Sequence, residues 1–289
     1  MKFLQFSHGK DSTLKLGVQD GKHVIDLSSA DPAIPNNLLD FLRGGESMLA
    51  TAKRSMSKEK KCIYNLSEVS IKAPIIGPDK VVCVGMNYSD HCKEQNAPIP
   101  EEPVIFNKFP SSIIGPYDPI PFPTTSKAID WEVELALVVA KKGKNIPIES
   151  AMEYVFGYSV AHDITARDWQ RNKNGGQWLL GKSMDGFCPL GPCVVTRDEI
   201  ADPYSLPICL TVNNIVKQNG NTSNIIHRVD AIIAFISRFF TLLPGDVILT
   251  GTPPGVGHFR KPPEYLKVGD EVECEIEGIG KIRNKVIQQ

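Results

Sequence analysis

The sequence contains no apolar run that approaches the roughly 18 residues of a membrane-spanning helix. Its most apolar segment, residues 225–243, is interrupted by His227, Arg228, Asp230 and Arg238. Charge of one sign is not in excess either, because 32 basic residues stand against 33 acidic ones, for a formal net charge of −1. We therefore expect neither a membrane protein nor a protein that binds nucleic acid through a basic surface.

The sequence also shows neither the cysteine spacing of a disulfide framework nor the residue pattern of a targeting segment. The chain has seven cysteines, an odd number, and no two of them are spaced as CxxC. This usage is typical of an intracellular protein with reduced thiols. The first ten residues, MKFLQFSHGK, have neither a long apolar core nor an arginine- and serine-rich stretch. We expect no signal or transit peptide there, and a location in the cytoplasm or the mitochondrial matrix.

The chain divides into two parts at a linker rich in proline and glycine near residue 75. Residues 1–75 alternate apolar and polar side chains before two short helical stretches, which predicts a small N-terminal domain of strands and helices. Residues 80–289 are predicted as the larger, catalytic domain. Within it, the proline-rich residues 97–123 are predicted to form a long ordered loop. Because strands outnumber helices and few βαβ units appear, we expect a β-rich α+β fold.

Three acidic residues lie on two predicted strands of the larger part. Glu132 and Glu134, in WEVEL, are two residues apart, so they point to the same face of a strand. Asp163 stands near the end of an apolar strand, where an unpaired carboxylate is costly. Together they offer the oxygen ligands that favour Mg²⁺, Ca²⁺ or Mn²⁺. The competing interpretation is an ordinary solvated stripe of glutamates.

A candidate general base follows the first strand of this part. His91 and Glu94 are three residues apart on a predicted helix, so the glutamate can orient the imidazole. An oriented histidine can move a proton or activate water. An ordinary polar helix face is the slightly favoured explanation of the pair taken alone.

Two glycine-rich segments suggest binding of an anion. Residues 176–183 match the P-loop pattern GxxxxGK[ST], but the loop holds bulky Trp178 and is followed by glycines and prolines rather than a helix, which argues against a nucleotide site. Lys182 remains a candidate cation for an anionic substrate. Thr252, in LTGTPPGVG, stands in a turn whose N–H groups can bind a carboxylate. A plain tight turn without a binding role explains the segment at least as well.

Taken together, these segments resemble the fumarylacetoacetate hydrolase family. The matching pieces occur in family order over residues 80–289: KVVCVGMNYSDHCKEQN, FNKFPSSIIGPYD, DWEVELALVV, GYSVAHDITARDWQ, LLGKSMDGFCPLGP and PGDVILTGTPPGVG. The residue sequences of these motifs are most similar to those of a subgroup that also has a front segment like residues 1–75. Several independent motifs in order make the resemblance specific.

The resemblance implies a mixed β-sandwich roll and, usually, a homodimer that acts on a small oxo acid. It implies a divalent metal, Mg²⁺ or Ca²⁺ with Mn²⁺ possible, held by three carboxylates: Glu132, Glu134 and Asp163. It places four side chains around the substrate: Arg167, Gln170, Lys182 and Thr252. It also places the pair His91 and Glu94 on a segment over the ligand.

The resemblance further implies chemistry on small 2-oxo or 1,3-dicarbonyl acids through an enolate stabilised at the metal. Met86 stands where the acylpyruvate-hydrolysing branch usually has arginine in VGxNY, which argues against acylpyruvate hydrolysis. The fourth acidic ligand of the fumarylacetoacetate-cleaving enzyme has no counterpart that we can place. Oxaloacetate enol–keto tautomerisation is therefore the first expectation, with C–C bond hydrolysis or decarboxylation as the alternative.

Overall fold

The protein is described by a computed structural model that covers residues 1–9, 11–57 and 62–289. In these residues it has 19 β-strands and seven α-helices. The strands are β1 Lys2–His8, β2 Asp11–Asp20, β3 His23–Asp26, β4 Cys62–Asn65, β5 Val69–Lys72, β6 Val81–Gly85, β7 Val104–Lys108, β8 Ile113–Ile114, β9 Ile120–Phe122, β10 Ile129–Asp130, β11 Val133–Val139, β12 Val155–His162, β13 Thr165–Ala166, β14 Cys188–Thr196, β15 Pro207–Val212, β16 Ile215–Asn221, β17 Val247–Leu249, β18 Glu271–Ile276 and β19 Gly280–Gln288. The helices are α1 Leu27–Ala30, α2 Leu38–Arg43, α3 Gly45–Met56, α4 Ser89–Glu94, α5 Arg167–Arg171, α6 Leu179–Lys182 and α7 Val229–Ile236.

Two large sheets form the body of the described structure. The larger has 12 strands, in the order β4-β3-β2-β1-β14-β12-β11-β17-β6-β7, with β5 beside β1 and β8 beside β14. A separate five-stranded sheet, β16-β15-β18-β19-β9, packs against it through a shared hydrophobic core, and β10 pairs with β13. Most neighbours are antiparallel, whereas β17 and β6 are parallel. The predicted β-rich α+β fold with mixed sheets is confirmed.

Strand β11 runs through the middle of the molecule and is buried on both faces. Trp131, Val133 and Leu135 join a core that also contains residues of β15, β18 and α7. Ala136 and Val138, on the opposite face, join a second core with residues of α2 and α3. The alternation of a β-strand therefore supplies two hydrophobic cores from one segment.

The front segment is continuous with the large sheet. Strand β1 pairs with β14, with Phe3 opposite Val194. Helix α2 begins after Asn37, whose side chain accepts a hydrogen bond from the N–H of Asp40, which is a standard cap. The division into an N-terminal domain over 1–75 and a catalytic domain over 80–289 stays a prediction.

The loop prediction for residues 97–123 is wrong for its central part. Strand β7 occupies Val104–Lys108 and pairs antiparallel with β6 at the end of the sheet. The prolines flank this run of five residues without interrupting it, so its N–H groups remain available to the ladder. Helix α7, Val229–Ile236, buries apolar residues that recur at helical spacing. No helix within the described ranges has the length and apolar character required to cross a bilayer.

The glycine of the P-loop-like segment has a packing role. Helices α5 and α6 lie against each other, and a Cβ on Gly181 would stand 2.8 Å from the backbone nitrogen of Gln170 and 2.9 Å from the carbonyl oxygen of Ala166. Only glycine fits between these backbones without a shift. The close approach fixes the position of Lys182, the next residue along the chain.

We predict that Gly181→Ala lowers the free energy of unfolding by about 1–3 kcal/mol, because the added methyl group must push α6 away from α5. Urea unfolding of the purified protein measures this loss. The matched control is Leu180→Ala on the same helix, where the side chain is 44% exposed and little change is expected. Equal losses for the two variants would contradict the packing explanation.

Candidate active site

Three carboxylates meet where β11 begins and β12 ends. The antiparallel register places Val133 opposite His162, and the N–H of Asp163 donates to the carbonyl of Glu132 at 2.8 Å. Directly opposed residues share a face of the sheet, so Asp163 joins Glu132 and Glu134. One carboxylate oxygen from each of the three lies within 4.8 Å of the others, and all three residues are buried. A solvated stripe of glutamates is excluded by this burial.

His162 points away from this cluster, as strand parity predicts. It is completely buried, and the structure gives its ring nitrogens no hydrogen-bond partner among the described residues. Burial and then the charge of Lys108 lower the pKa of His162 to about 3. The ring is therefore a neutral core side chain.

Two buried lysines compensate part of the negative charge. Lys182 Nζ lies 2.7 Å from Glu132 Oε2 and 2.7 Å from Asp163 Oδ2. Lys108 Nζ lies 2.8 Å from Asp163 Oδ1 and also donates to the carbonyls of Ile164 and Lys182. Burial alone would lower the pKa of Lys182, but Asp163 and Glu132 raise it, so the ammonium stays charged.

Arg167 completes the arrangement around Glu132. Its Nη2 lies 2.6 Å from Glu132 Oε1, its Nε lies 2.8 Å from Asp130 Oδ2, and its Nη1 donates to Gln170 Oε1 at 2.9 Å. Burial would raise the pKa of Glu132, yet Lys182 and Arg167 hold it below its usual range. Glu132 is therefore an ionised carboxylate.

Glu134 is in a different electrostatic environment. Its Oε2 accepts the N–H of Gly251 at 2.7 Å, and no lysine or arginine among the described residues forms an ion pair with it. Burial, and then the charges of Asp163 and Glu132, raise the pKa of Glu134 well above its usual range. Three buried oxygen donors, one of them without a cationic partner, fit a hard divalent cation.

The segment after β17 shapes the wall beside Glu134. Strand β17 pairs with β11, so the chain that leaves it passes Glu134 and Val133. Gly251 has φ +103°, a conformation that favours glycine, and this turns its N–H toward the carboxylate. The hydroxyl of Thr252 donates to the carbonyl of Val133 at 2.8 Å and accepts from Gln218 at 2.8 Å.

His91 and Glu94 form a hydrogen-bonded pair on α4. His91 Nδ1 lies 2.7 Å from Glu94 Oε2, and Glu94 Oε1 accepts the N–H of Gly255 at 2.8 Å. A carboxylate only accepts, so Nδ1 of the neutral ring carries the proton and Nε2 has the lone pair. Gln95 Nε2 lies 2.7 Å from His91 Nε2 and donates to it. The ordinary polar helix face is therefore not what the structure shows, since His91 is 5% exposed.

A cavity of about 320 Å³ connects these groups. The sequence-predicted residues that line it are His91, Glu132, Glu134, Arg167, Gln170, Lys182 and Thr252. Asp163 lies behind them through its contacts with Lys182, and Glu94 supports His91. The structure thus brings the whole predicted set to one place, while the role of each side chain stays a prediction.

Sequence reasoning missed several residues of this site. Asp130 accepts the N–H groups of Gly257 and His258 as well as Arg167, and so ties the turn after Thr252 to the site. Trp178 packs edge-on against Phe106, with ring centres 5.1 Å apart, and forms part of the wall. Its place in the P-loop-like segment is explained by this contact. Lys108 was also missed, although a single lysine within the apolar segment around FNKFP could have indicated a buried ion pair.

The comparisons with known proteins agree with this geometry. The model of the family "Fumarylacetoacetate (FAA) hydrolase C-terminal" matches residues 80–287. The chain belongs to the fumarylacetoacetate hydrolase family. The human protein "Oxaloacetate tautomerase FAHD2A, mitochondrial" is 54% identical over 289 residues, which cover 99% of this chain and 92% of that protein. This relative belongs to the subgroup named fumarylacetoacetate hydrolase domain-containing protein 2. The motif sequences indicated the same subgroup, so the predicted resemblance is confirmed.

Solved structures of the family share the fold. The fumarylacetoacetate hydrolase of Exiguobacterium antarcticum is 39% identical, with a TM-score of 0.87 and complete coverage of both chains. Maleylpyruvate hydrolase from Sphingobium sp. SYK-6, in complex with manganese(II) and pyruvate, is 28% identical, with a TM-score of 0.81 over 100% of this chain and 99% of that one.

We predict that Mg²⁺ or Mn²⁺ raises the melting temperature of the protein, because an ion that binds only the folded state stabilises it by about 2.7 kcal/mol at 100 times its Kd. For a chain of this size the shift is roughly 5 °C. Glu134→Gln removes one anionic ligand and should abolish most of the shift. Differential scanning calorimetry with and without the ion measures it.

The control for this prediction is Glu153→Gln, which changes an exposed glutamate paired with Lys141 on the surface. This variant should keep the full ion-dependent shift. If Glu134→Gln responds to the ion as the wild type does, Glu134 is not a ligand.

Proposed function

We propose that this protein is a divalent-metal-dependent oxaloacetate tautomerase, which interconverts the enol and keto forms of oxaloacetate. The observation that supports this most is a buried cluster of three carboxylates, two of which, Glu132 and Glu134, line the same cavity as an oriented histidine. The name of the human relative points to the same reaction, and the pyruvate and manganese(II) of the Sphingobium enzyme are a 2-oxo acid and a hard divalent ion.

Glu132, Glu134 and Asp163 would hold Mg²⁺, Ca²⁺ or Mn²⁺. When bound, such an ion acts as a Lewis acid toward the carboxylate and 2-oxo oxygens of a substrate. Lys182 and Arg167 keep Glu132 ionised, and Lys108 contacts the second oxygen of Asp163. Lys182 and Arg167 therefore keep Glu132 negatively charged where burial would otherwise favour its protonation.

His91 is the proposed proton carrier. Its Nε2 lone pair accepts a proton from C3 of the keto form, and the imidazolium then delivers a proton to the 2-oxygen to give the enol. In the reverse direction the enol hydroxyl proton is taken up and C3 is protonated, and in both directions Glu94 stabilises the imidazolium through Nδ1. The amide of Gln95 occupies this lone pair in the structure, so it must release Nε2 before the proton moves. Glu94 also holds the turn at Gly255, which fixes the histidine relative to Thr252.

The remaining polar groups orient the substrate. Gln170 presents its amide beside Arg167, and both side chains line the cavity. Phe106 and Trp178 pack against each other on one side of the cavity and shield that side from water. The ammonium of Lys182 lies 4.8 Å from the centre of the Phe106 ring. A dry site strengthens each of these electrostatic contacts.

The same proposal includes a hard divalent ion, a homodimer, and a location in the mitochondrial matrix or the cytoplasm. So does the division into domains over 1–75 and 80–289. The ligand chemistry supports hard cations, and the family resemblance supports the dimer. The human relative is named as mitochondrial.

We predict that the protein with Mg²⁺ accelerates the decay of oxaloacetate enol without matching release of pyruvate. Ultraviolet absorbance follows the enol, and a coupled assay follows pyruvate in the same sample. A chelator, or the double change Glu132→Ala and Glu134→Ala, should abolish the acceleration because no ion is held. Full turnover in chelator contradicts the metal-dependent scheme, and pyruvate release at the rate of enol loss shows a decarboxylase instead.

We further predict that His91→Ala keeps the ion-dependent melting shift but lowers kcat by a factor of about 10² to 10⁴, the usual contribution of a positioned acid or base. Steady-state kinetics on the enol measure this loss. His23→Ala, an exposed histidine on β3, is the control and should leave kcat unchanged. An unchanged kcat in His91→Ala would show that His91 is not the proton carrier.

A further inference from the structure

Arg171 is a second arginine at the cavity that the function described so far does not use. It is the last residue of α5, four residues after Arg167. Residues four apart lie on the same side of a helix, and both arginines line the cavity. Arg171 is exposed whereas Arg167 is buried, so Arg171 stands at the outer part of the cavity wall.

The other cations that line the cavity are engaged by acidic groups of the protein. Lys182 binds Glu132 and Asp163, and Arg167 binds Asp130 and Glu132. Within the described ranges, the structure gives the Arg171 guanidinium no carboxylate partner and no hydrogen-bond acceptor; its recorded contact is with the ring of Phe259, whose centre lies 5.5 Å away. Stacking on an aromatic ring orients a guanidinium but leaves its edge N–H donors free.

The charge balance of the inner cavity indicates what those donors bind. Four carboxylates face three cations there: Asp130, Glu132, Glu134 and Asp163 against Lys108, Arg167 and Lys182. With all four carboxylates ionised, as they would be around a bound cation, the cluster is one negative charge in excess, and a divalent ion makes it one positive charge in excess. That excess matches a single carboxylate of a substrate, so a second carboxylate requires another cation.

We propose that Arg171 binds the remote carboxylate of a dicarboxylic 2-oxo acid and thereby selects four-carbon dicarboxylates over monocarboxylates. This rests on the proposed function, in which the first carboxylate and the oxo oxygen occupy the inner end of the cavity. The spacing of Arg167 and Arg171 by one helical turn suits a short chain that extends from the inner end to the mouth. Guanidinium suits the task because its paired N–H groups match a carboxylate.

The test is a comparison of two unreactive ligands by calorimetric titration of the manganese-loaded protein. Malate carries the remote carboxylate and lactate lacks it. The wild type should bind malate at least ten-fold more tightly than lactate, and Arg171→Gln should lose roughly ten-fold in malate affinity with lactate unchanged, as expected for one charge-assisted hydrogen-bonding pair. Arg171→Lys, which keeps the charge, should retain most of the preference.

Arg238→Gln is the matched control, because Arg238 is also exposed and stacked on phenylalanine rings but does not line this cavity. It should bind both ligands as the wild type does. In the enol assay, Arg171→Gln should raise KM about ten-fold and leave kcat within two-fold, a split that a general structural defect would not produce.

Two results overturn the proposal: no preference for malate in the wild type, or the same preference in Arg171→Gln. Failure of the proposed function is seen separately, as a wild type that binds malate but does not change the decay of oxaloacetate enol. In that case the ratio of malate to lactate affinity still decides the role of Arg171.

Discussion

The structure depends on a cluster of buried carboxylates where β11 begins and β12 ends. Three of them lie within 4.8 Å of one another in a region that is almost closed to solvent. Unpaired charges in such a place cost several kcal/mol each. Lys182, Lys108 and Arg167 offset that cost for Glu132 and Asp163, but none of them pairs with Glu134. Glu134 is therefore left without a cationic partner among the described residues, and a cluster of this kind could hold a divalent ion.

The surrounding fold holds this cluster from two sides. Strand β11 is buried on both faces, so Glu132 and Glu134 are fixed by two hydrophobic cores. Lys182 is placed by the contact of Gly181 with α5, and Arg167 by its bonds to Asp130. Each polar group is positioned by backbone packing rather than by a flexible loop, which is the condition for electrostatic preorganisation.

The cluster of three carboxylates could be predicted from the sequence because its geometry follows from local rules. Glu132 and Glu134 are two residues apart, so they share one face of the extended chain. Asp163 directly follows β12, the apolar strand that pairs with β11. Lys108 could not be placed in this way, since it reaches the site through the pairing of β7 with β6 inside a segment whose prolines indicate a loop. Asp130 and Arg171 were missed because their roles depend on a turn and on a cavity mouth, neither of which has a periodic signal.

The pairing of β1 with β14 has a consequence for the integrity of the molecule. β14 lies between β1 and β12, so the front segment covers backbone N–H and C=O groups that would otherwise form an open sheet border. Such a border recruits strands from other molecules. The first residues of the chain thus protect β14, the neighbour of the strand that leads into Asp163, from pairing with strands of other molecules.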